Sequence, residues 1–230
     1  MVIPFKTTDS VTINQRIMDE LSHLESWCVG KKLLLNATKS NVMFHTRKVL
    51  GIAASTPLLP VVDVVKVLGV YLTKELTWNT HCKMVCKKAN QRFHYLRRLK
   101  QVTTPEELHL IYTACVRSLL EYACPVFVGL SKKMENAFRR IDKRAHKIIY
   151  GSYEAAVCGC TEDTLSERRV QLSKKVFQRI RSNPNHILYS YLLSVHKHSK
   201  HYNIQFCRTS KFMTSFFPHV SLLLNSDKQV

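Results

Sequence analysis

Acidic side chains are scarce in this sequence. Sixteen Asp and Glu stand against 35 Lys and Arg in 230 residues, a formal charge of +19 with the histidines neutral. So large an excess points to polyanionic partners, nucleic acid or an anionic membrane surface, or to an unusually repulsive surface. Long apolar runs are missing too; nothing approaches the ~18 consecutive apolar residues of a membrane-spanning helix. Glycine and proline are few, 6 and 7 respectively. Neither forms a low-complexity tract, so extended disorder is not expected before the last part of the chain. No Gly-rich strand-to-helix turn is present to cradle a nucleotide-like cofactor. Aspartate never follows aspartate, and no His-x-Asp occurs. The second absence removes the usual start of a non-haem iron triad. The opening MVIPFKTTDS lacks the basic and apolar regions of a secretory signal. An intracellular setting with reduced thiols is therefore expected for the eight cysteines.

What remains reads mostly as helix. Ile13, Ile17, Leu21, Leu24 and Cys28 recur at helical spacing up to Gly30, which suits a C-terminal cap. Short Val-rich runs come next, at 33–35, 42–44, 61–65 and 66–72, broken by Asn36, Gly51, Pro57 and Pro60, and predict strands. From Thr80 the period turns helical: Cys82, Cys86, Ala89, Phe93 and Leu96 form one stripe. The same helix carries Lys83, Lys87, Lys88, Arg92, Arg97 and Arg98 without an acid among them. Thr104-Pro105-Glu106-Glu107 reads as a capping box with proline at the first helical position. The helix it opens is expected to bury Leu108, Ile111, Tyr112, Cys115 and Leu119 and to be disturbed at Pro125. Leu165, Leu172, Val176 and Ile180 mark a further helix, and Asn183-Pro184 is expected to start a short last one. The fold class is α+β, mostly α: short antiparallel strands with one helix, then a basic helical bundle. Three regions are expected, 1–75, 76–155 and 156–230, the last basic and helical with an extended aromatic tail.

Residues 131–151 carry the densest charge. Met134, Phe138, Ile141, Ala145 and Ile148 give the apolar stripe, with Ser131 placed to cap the start and Gly151 the end. With Ile141 facing inward, at about 100° per residue, Arg139, Arg140, Lys143, Arg144 and Lys147 fall on one flank and the back. Glu135, Asp142 and His146 share the other edge. Charge sorted in this way suits a phosphate backbone. Metal chemistry is less well served. His81-Cys82-x-x-x-Cys86 and Cys158-x-Cys160 lack the spacing of paired zinc knuckles, and Cys82 and Cys86 lie on an apolar stripe where thiols act as small hydrophobes. No metal ligand and no cofactor is expected.

Several segments, in order, resemble the C-terminal part of jockey-like non-LTR retrotransposon reverse transcriptases. Asn36-Ala-Thr-Lys39-Ser-Asn-Val-Met43-Phe44 is similar to their Asn-x-x-Lys segment. Leu68-Gly69-Val70-Tyr71-Leu72 with Leu76-Thr77-Trp78 is similar to the hairpin after it. Thr104 to Leu108, Glu121-Tyr122-Ala123-Cys124-Pro125-Val126, and Ile141 to Gly151 resemble the thumb; Glu167-Arg168-Arg169, His201-Tyr202-Asn203, Cys207-Arg208-Thr209 and Phe216-Phe217-Pro218 resemble the tail. Residues 33–99 also resemble a short module associated with the N-terminal region of an AlkB-type alkylation-repair homologue.

The resemblance implies a palm remnant at 1–75, a thumb-like bundle at 76–155 and a template-primer, as RNA–DNA hybrid or duplex, for partner. It implies that Lys39 lies near an incoming triphosphate and that Gly69 belongs to a hairpin gripping the primer. In this family the catalytic aspartates precede the Asn-x-x-Lys segment, and this chain, beginning near that point, has no such pair. Asp9 stands alone, and Phe127 replaces the usual Trp. The expected activity is therefore none, with nucleic-acid binding retained and association with a separate catalytic polymerase piece open. Two alternatives stand beside it: a relic protein-interaction module, and an AlkB-type label (oxidoreductase or methyltransferase) inherited without a catalytic site.

Overall fold

The structure, a computed structural model, describes residues 3–4, 9–45, 59–152, 164–197, 201–204 and 209–227. Among these residues it is mostly helical with one small antiparallel sheet, as the sequence pattern predicts, and the chain divides into two compact units, Met1–Thr80 and His81–Val230.

In the first unit, α1 (Ser10–Gly30) opens on Asp9, whose carboxylate accepts from the Thr12 amide at 2.9 Å. The Thr12 hydroxyl and amide hold that carboxyl below its usual range. Aspartate at this position satisfies amides the first helical turn leaves open. Ile13, Ile17 and Cys28 are buried as the periodicity predicts. The helix ends at Gly30 as predicted, but Gly30 is its last helical residue and not the cap. Lys31 is the C-cap and Lys32 takes the left-handed conformation, φ 57°. The predicted strand at 33–35 is irregular chain, with Leu34 95% exposed. It has no pairing partner among the described residues, and apolar content alone does not make a strand.

The run 66–72 proves to be a hairpin. β1 (Val64–Val67) pairs antiparallel with β2 (Val70–Thr73), Val67 opposite Val70. Leu68 and Gly69 form the two-residue loop with φ of 46° and 87°. Positive φ at both positions is the turn whose twist matches the strands it joins. Gly51 and Pro57, expected to break strands, lie outside the described residues.

The second unit begins in α2 (Asn79–Leu99) and continues into a long helical run. This run comprises α3 (Pro105–Tyr112), a π-turn (Thr113–Arg117) and α4 (Ser118–Glu121). The capping box at Thr104 and Glu107 forms as predicted. The π-turn alters the buried face downstream: Val116 and Leu120 are buried, while Cys115 is exposed and Leu119 only half-buried. One wider turn inserts one extra residue, so the inward face shifts by one position. Ala123, at φ 54°, ends the run before Pro125 is reached, and Pro125 sits in a 3-10 turn, Cys124–Phe127.

α5 (Lys132–Tyr150) ends on Gly151 at φ 85°, but Ser131 stands at the N-cap without a side-chain hydrogen bond. α6 (Leu165–Ser182) opens with a second capping box, Thr164 and Glu167. Its buried stripe is Leu165, Arg169, Ser173, Phe177 and Ile180, rotated from the predicted one because Phe177 joins an aromatic core with Tyr202 and Val220. Residues 183–188 form turns rather than a helix. The expected extended tail is instead helical: α7 (Ser210–Met213) and α8 (Phe216–Ser226), where Pro218 lies in the first turn and removes no helical hydrogen bond.

Candidate nucleic-acid interface

The inward stripe of α2 is Cys82, Val85, Ala89, Phe93 and Leu96. At about 100° per residue, Lys83, Lys87 and Arg98 then lie on the outward half of the helix and Arg97 at its edge. All four are exposed. Lys88 and Arg92 are half-buried at its flanks, and the Arg92 guanidinium donates to the Cys115 carbonyl.

On α5 the buried set is Phe138, Ile141, Asp142, Ala145 and Ile149. Its centre is rotated toward Asp142 from the predicted stripe, so Ile149 rather than Ile148 is fully inside. The five predicted cations are all exposed, but the rotation divides them. Arg140, Lys143 and Lys147 point most directly outward. Arg139 is turned toward the start of α6, where it lines a cavity of about 320 Å³ with Asp142, Thr164 and Glu167. Arg144 is turned toward α2. Its Nη1 donates to the Asn90 side chain at 3.0 Å, and its guanidinium lies 5.3 Å from the centre of the Phe93 ring. Lys100 Nζ donates to the Ile148 carbonyl at 2.5 Å. These contacts form a seam between one flank of α5 and α2 with the turn that follows it. Arg139, Arg140, Lys143 and Asn136 also outline a shallower depression of about 240 Å³ on the outer face of α5.

Beneath this surface lies an ionic framework that sequence patterning missed. Arg169, 8% exposed, sits 5.2 and 5.0 Å from the ring centres of Phe127 and Phe138. Burial lowers its pKa, opposed by the nearby Cys124 and Cys82 thiols. Glu121 accepts from Arg117 Nε at 2.9 Å and from Arg168 Nε at 2.8 Å. Buried Asp142 accepts from the Tyr112 hydroxyl, with His146 Nδ1 at 3.6 Å. Burial and the adjacent carboxylate push the Tyr112 hydroxyl upward. Arg169 shares a helical face with Leu165, Ser173 and Phe177; that spacing was the available signal.

Lys39 and Gly69 lie in the first unit. Asn36 caps the 3-10 turn Ala37–Lys39, accepting from the Lys39 amide at 3.1 Å, and the Lys39 side chain is exposed. Gly69 is the second residue of the hairpin loop. Burial pushes the Cys82 thiol up to about 12 and raises Cys86 as well. Cys158 and Cys160 are outside the described residues. His23-Leu24-Glu25, a His-x-Glu, has both polar side chains exposed on α1. No group of three His, Cys, Asp or Glu side chains suited to a metal occurs among the described residues. No helix among them is long and apolar enough to cross a membrane.

Over 141 residues the chain is 26% identical to Probable RNA-directed DNA polymerase from transposon BS of Drosophila melanogaster. The match covers 58% of this chain and 16% of that protein, so the chain spans only a small part of its relative. The family model described as Alkylated DNA repair protein alkB homolog 8, N-terminal, matches residues 78–118. That range covers α2, α3 and the π-turn, and overlaps the expected 33–99 only in α2 and its flanks. No solved structure matches.

Proposed function

We propose that this chain is a nucleic-acid-binding segment of a non-LTR-type reverse transcriptase and does not itself polymerise. The observation that carries the reading is that two helices with exposed cations, α5 and acid-free α2, meet along this seam, and we read their outward cations as one surface. The similarity to a transposon RNA-directed DNA polymerase supports it. Lys83, Lys87, Arg97, Arg98, Arg140, Lys143 and Lys147 neutralise successive backbone phosphates of a template-primer duplex or RNA–DNA hybrid. Arg139 lies at its α6 edge; Lys88 lies at a flank, and Arg92 and Arg144 hold the helices in register. Binding of this kind is independent of sequence and steep in salt. In this reading residues 1–75 are a palm remnant, 76–155 a thumb-like bundle and 156–230 its helical continuation. Two-metal catalysis requires a carboxylate pair, and these residues contain no Asp-Asp, so in this reading synthesis draws on carboxylates outside them. The AlkB-type match covers α2, α3 and the π-turn, not α5, and brings no His-x-Asp with it.

The test is a salt titration of the full chain against an RNA–DNA hybrid, duplex DNA and anionic vesicles. Binding to hybrid or duplex with a steep log–log salt slope, and weaker binding to vesicles, is expected. Vesicle binding without nucleic-acid binding overturns the reading. In parallel, primed template with dNTPs and Mg²⁺ should show no extension; reproducible extension would refute the non-catalytic assignment.

A further inference from the structure

The outward face of α2 holds more than charge. Tyr95 is 66% exposed, and His94 beside it is also exposed. Their rings lie stacked, 6.1 Å between centres and 23° between planes. On the helical wheel, at about 100° per residue, the pair brackets Lys87, Gln91 and Arg98, one side chain on either side of this strip. Every member of the group is exposed. Tyr95 has the largest exposure of any aromatic residue among the exposed hydrophobics of the described chain. An aromatic ring held out in water on a rigid helix loses hydrophobic stabilisation that burial would supply. Packing within the fold does not account for it.

Two features select the occupant. The surrounding cations, Lys87 and Arg98, complement a phosphate backbone, and acids are missing from the whole of α2. A flat ring amid cations offers a stacking surface for any nucleobase whose face is open. In a continuous duplex both faces of each base are already stacked, whereas a single strand presents its bases. An apolar protein partner would be mismatched to so polar a surround.

We propose that the His94–Tyr95 pair is a base-stacking contact for single-stranded nucleic acid, entered from the α2 cationic face. This rests on the nucleic-acid-binding reading above and adds to it a preference for unpaired bases. Tyr95 supplies the stacking face; His94, stacked on it, restricts the ring's motion; Lys87 and Arg98 hold the flanking phosphates. A single strand bound here contributes stacking that the cations alone cannot supply, and a blunt duplex does not.

The experiment uses the full chain with a short single strand carrying 2-aminopurine and a blunt duplex of the same length. The readouts are affinity and 2-aminopurine fluorescence, for wild type, Tyr95→Phe and Tyr95→Ala. Wild type should quench the single-strand probe. Tyr95→Ala should weaken single-strand binding by roughly 5- to 100-fold, the range found when a base-stacking aromatic is truncated. It should abolish the quench, yet leave duplex affinity within about twofold and the salt slope unchanged, because no phosphate contact is lost. Tyr95→Phe should behave as wild type. Circular dichroism and the thermal midpoint should match across the three, since the ring is exposed. If wild type binds both ligands and Tyr95→Ala binds both as tightly, the stacking proposal falls and the cationic surface stands. Equal weakening toward both ligands also overturns it. If wild type binds neither ligand, the basic-surface reading falls and takes this proposal with it.

Discussion

Arg144 and its three outward neighbours on α5 make different demands on the protein, and substitution separates them. Arg140, Lys143 and Lys147 are exposed and lie farthest from the buried stripe. Exposed charges rarely add more than about 1 kcal/mol to stability, and here they also repel one another. Arg140→Gln, Lys143→Gln and Lys147→Gln combined should leave the thermal midpoint within about 2 °C of wild type, or raise it slightly. Binding should suffer instead: each lost contact with duplex DNA removes about 0.9 from the log–log salt slope, so the triple variant should lose up to about 2.7. Arg144→Gln inverts the pattern. It removes the 3.0 Å bond to Asn90 and the guanidinium from the Phe93 ring. A charge-assisted bond of this kind and an exposed cation–π contact together are worth about 1–2 kcal/mol. For a domain of this size that lowers the midpoint by roughly 3–6 °C, with a slope loss no greater than one contact. Thermal melts by circular dichroism and salt titrations by fluorescence anisotropy give both quantities on the same samples. A triple variant that melts as early as Arg144→Gln, or an Arg144→Gln that flattens the salt slope more than the triple, would refute the division of α5 into a seam edge and an outward face.

The hairpin loop and the buried imidazoles each support a further test. Leu68 holds a positive φ at the first position of the hairpin loop and is 86% exposed. Asparagine accepts that conformation at less cost, so Leu68→Asn should stabilise the β1–β2 hairpin by about 1 kcal/mol, read as slower hydrogen exchange at the Val64–Thr73 amides. Burial lowers the pKa of His81 and of His219, with Lys88 and Arg169 lowering His81 further. The unfolded chain therefore binds more protons than the folded one in the window below about pH 6.5. Stability should be flat from neutral pH down to that value and then fall as pH drops; denaturant melts from pH 7.5 to 5 that show no such loss would contradict the burial of His81 and the half-burial of His219.

Sequence patterning alone determined α1, α2, α3, α5 and α6, because their apolar positions recur with a helical period and their ends carry local chemistry; it missed the helical tail, α7 and α8. The capping boxes at Thr104–Glu107 and Thr164–Glu167 and the Gly151 terminus are contacts within one or two turns, which residue order specifies. The acid-free face of α2 was legible for the same reason. Rotation of the helices was not. The π-turn at Thr113–Arg117 moved the inward positions to Val116 and Leu120, and α5 turned toward Asp142 because Tyr112, from another helix, satisfies that buried carboxylate. Arg169 resembles any surface cation until Phe127 and Phe138 supply ring faces for its guanidinium. Only tertiary packing decided which cations stay in water. Arg92 and Arg144 became internal ties because a carbonyl on one neighbouring element and an amide and ring on another lay within their reach, while Lys87, Arg98 and Lys147 stay exposed. Local order encodes which face of a helix is basic, but the partner that claims each charge is set by residues distant in the chain.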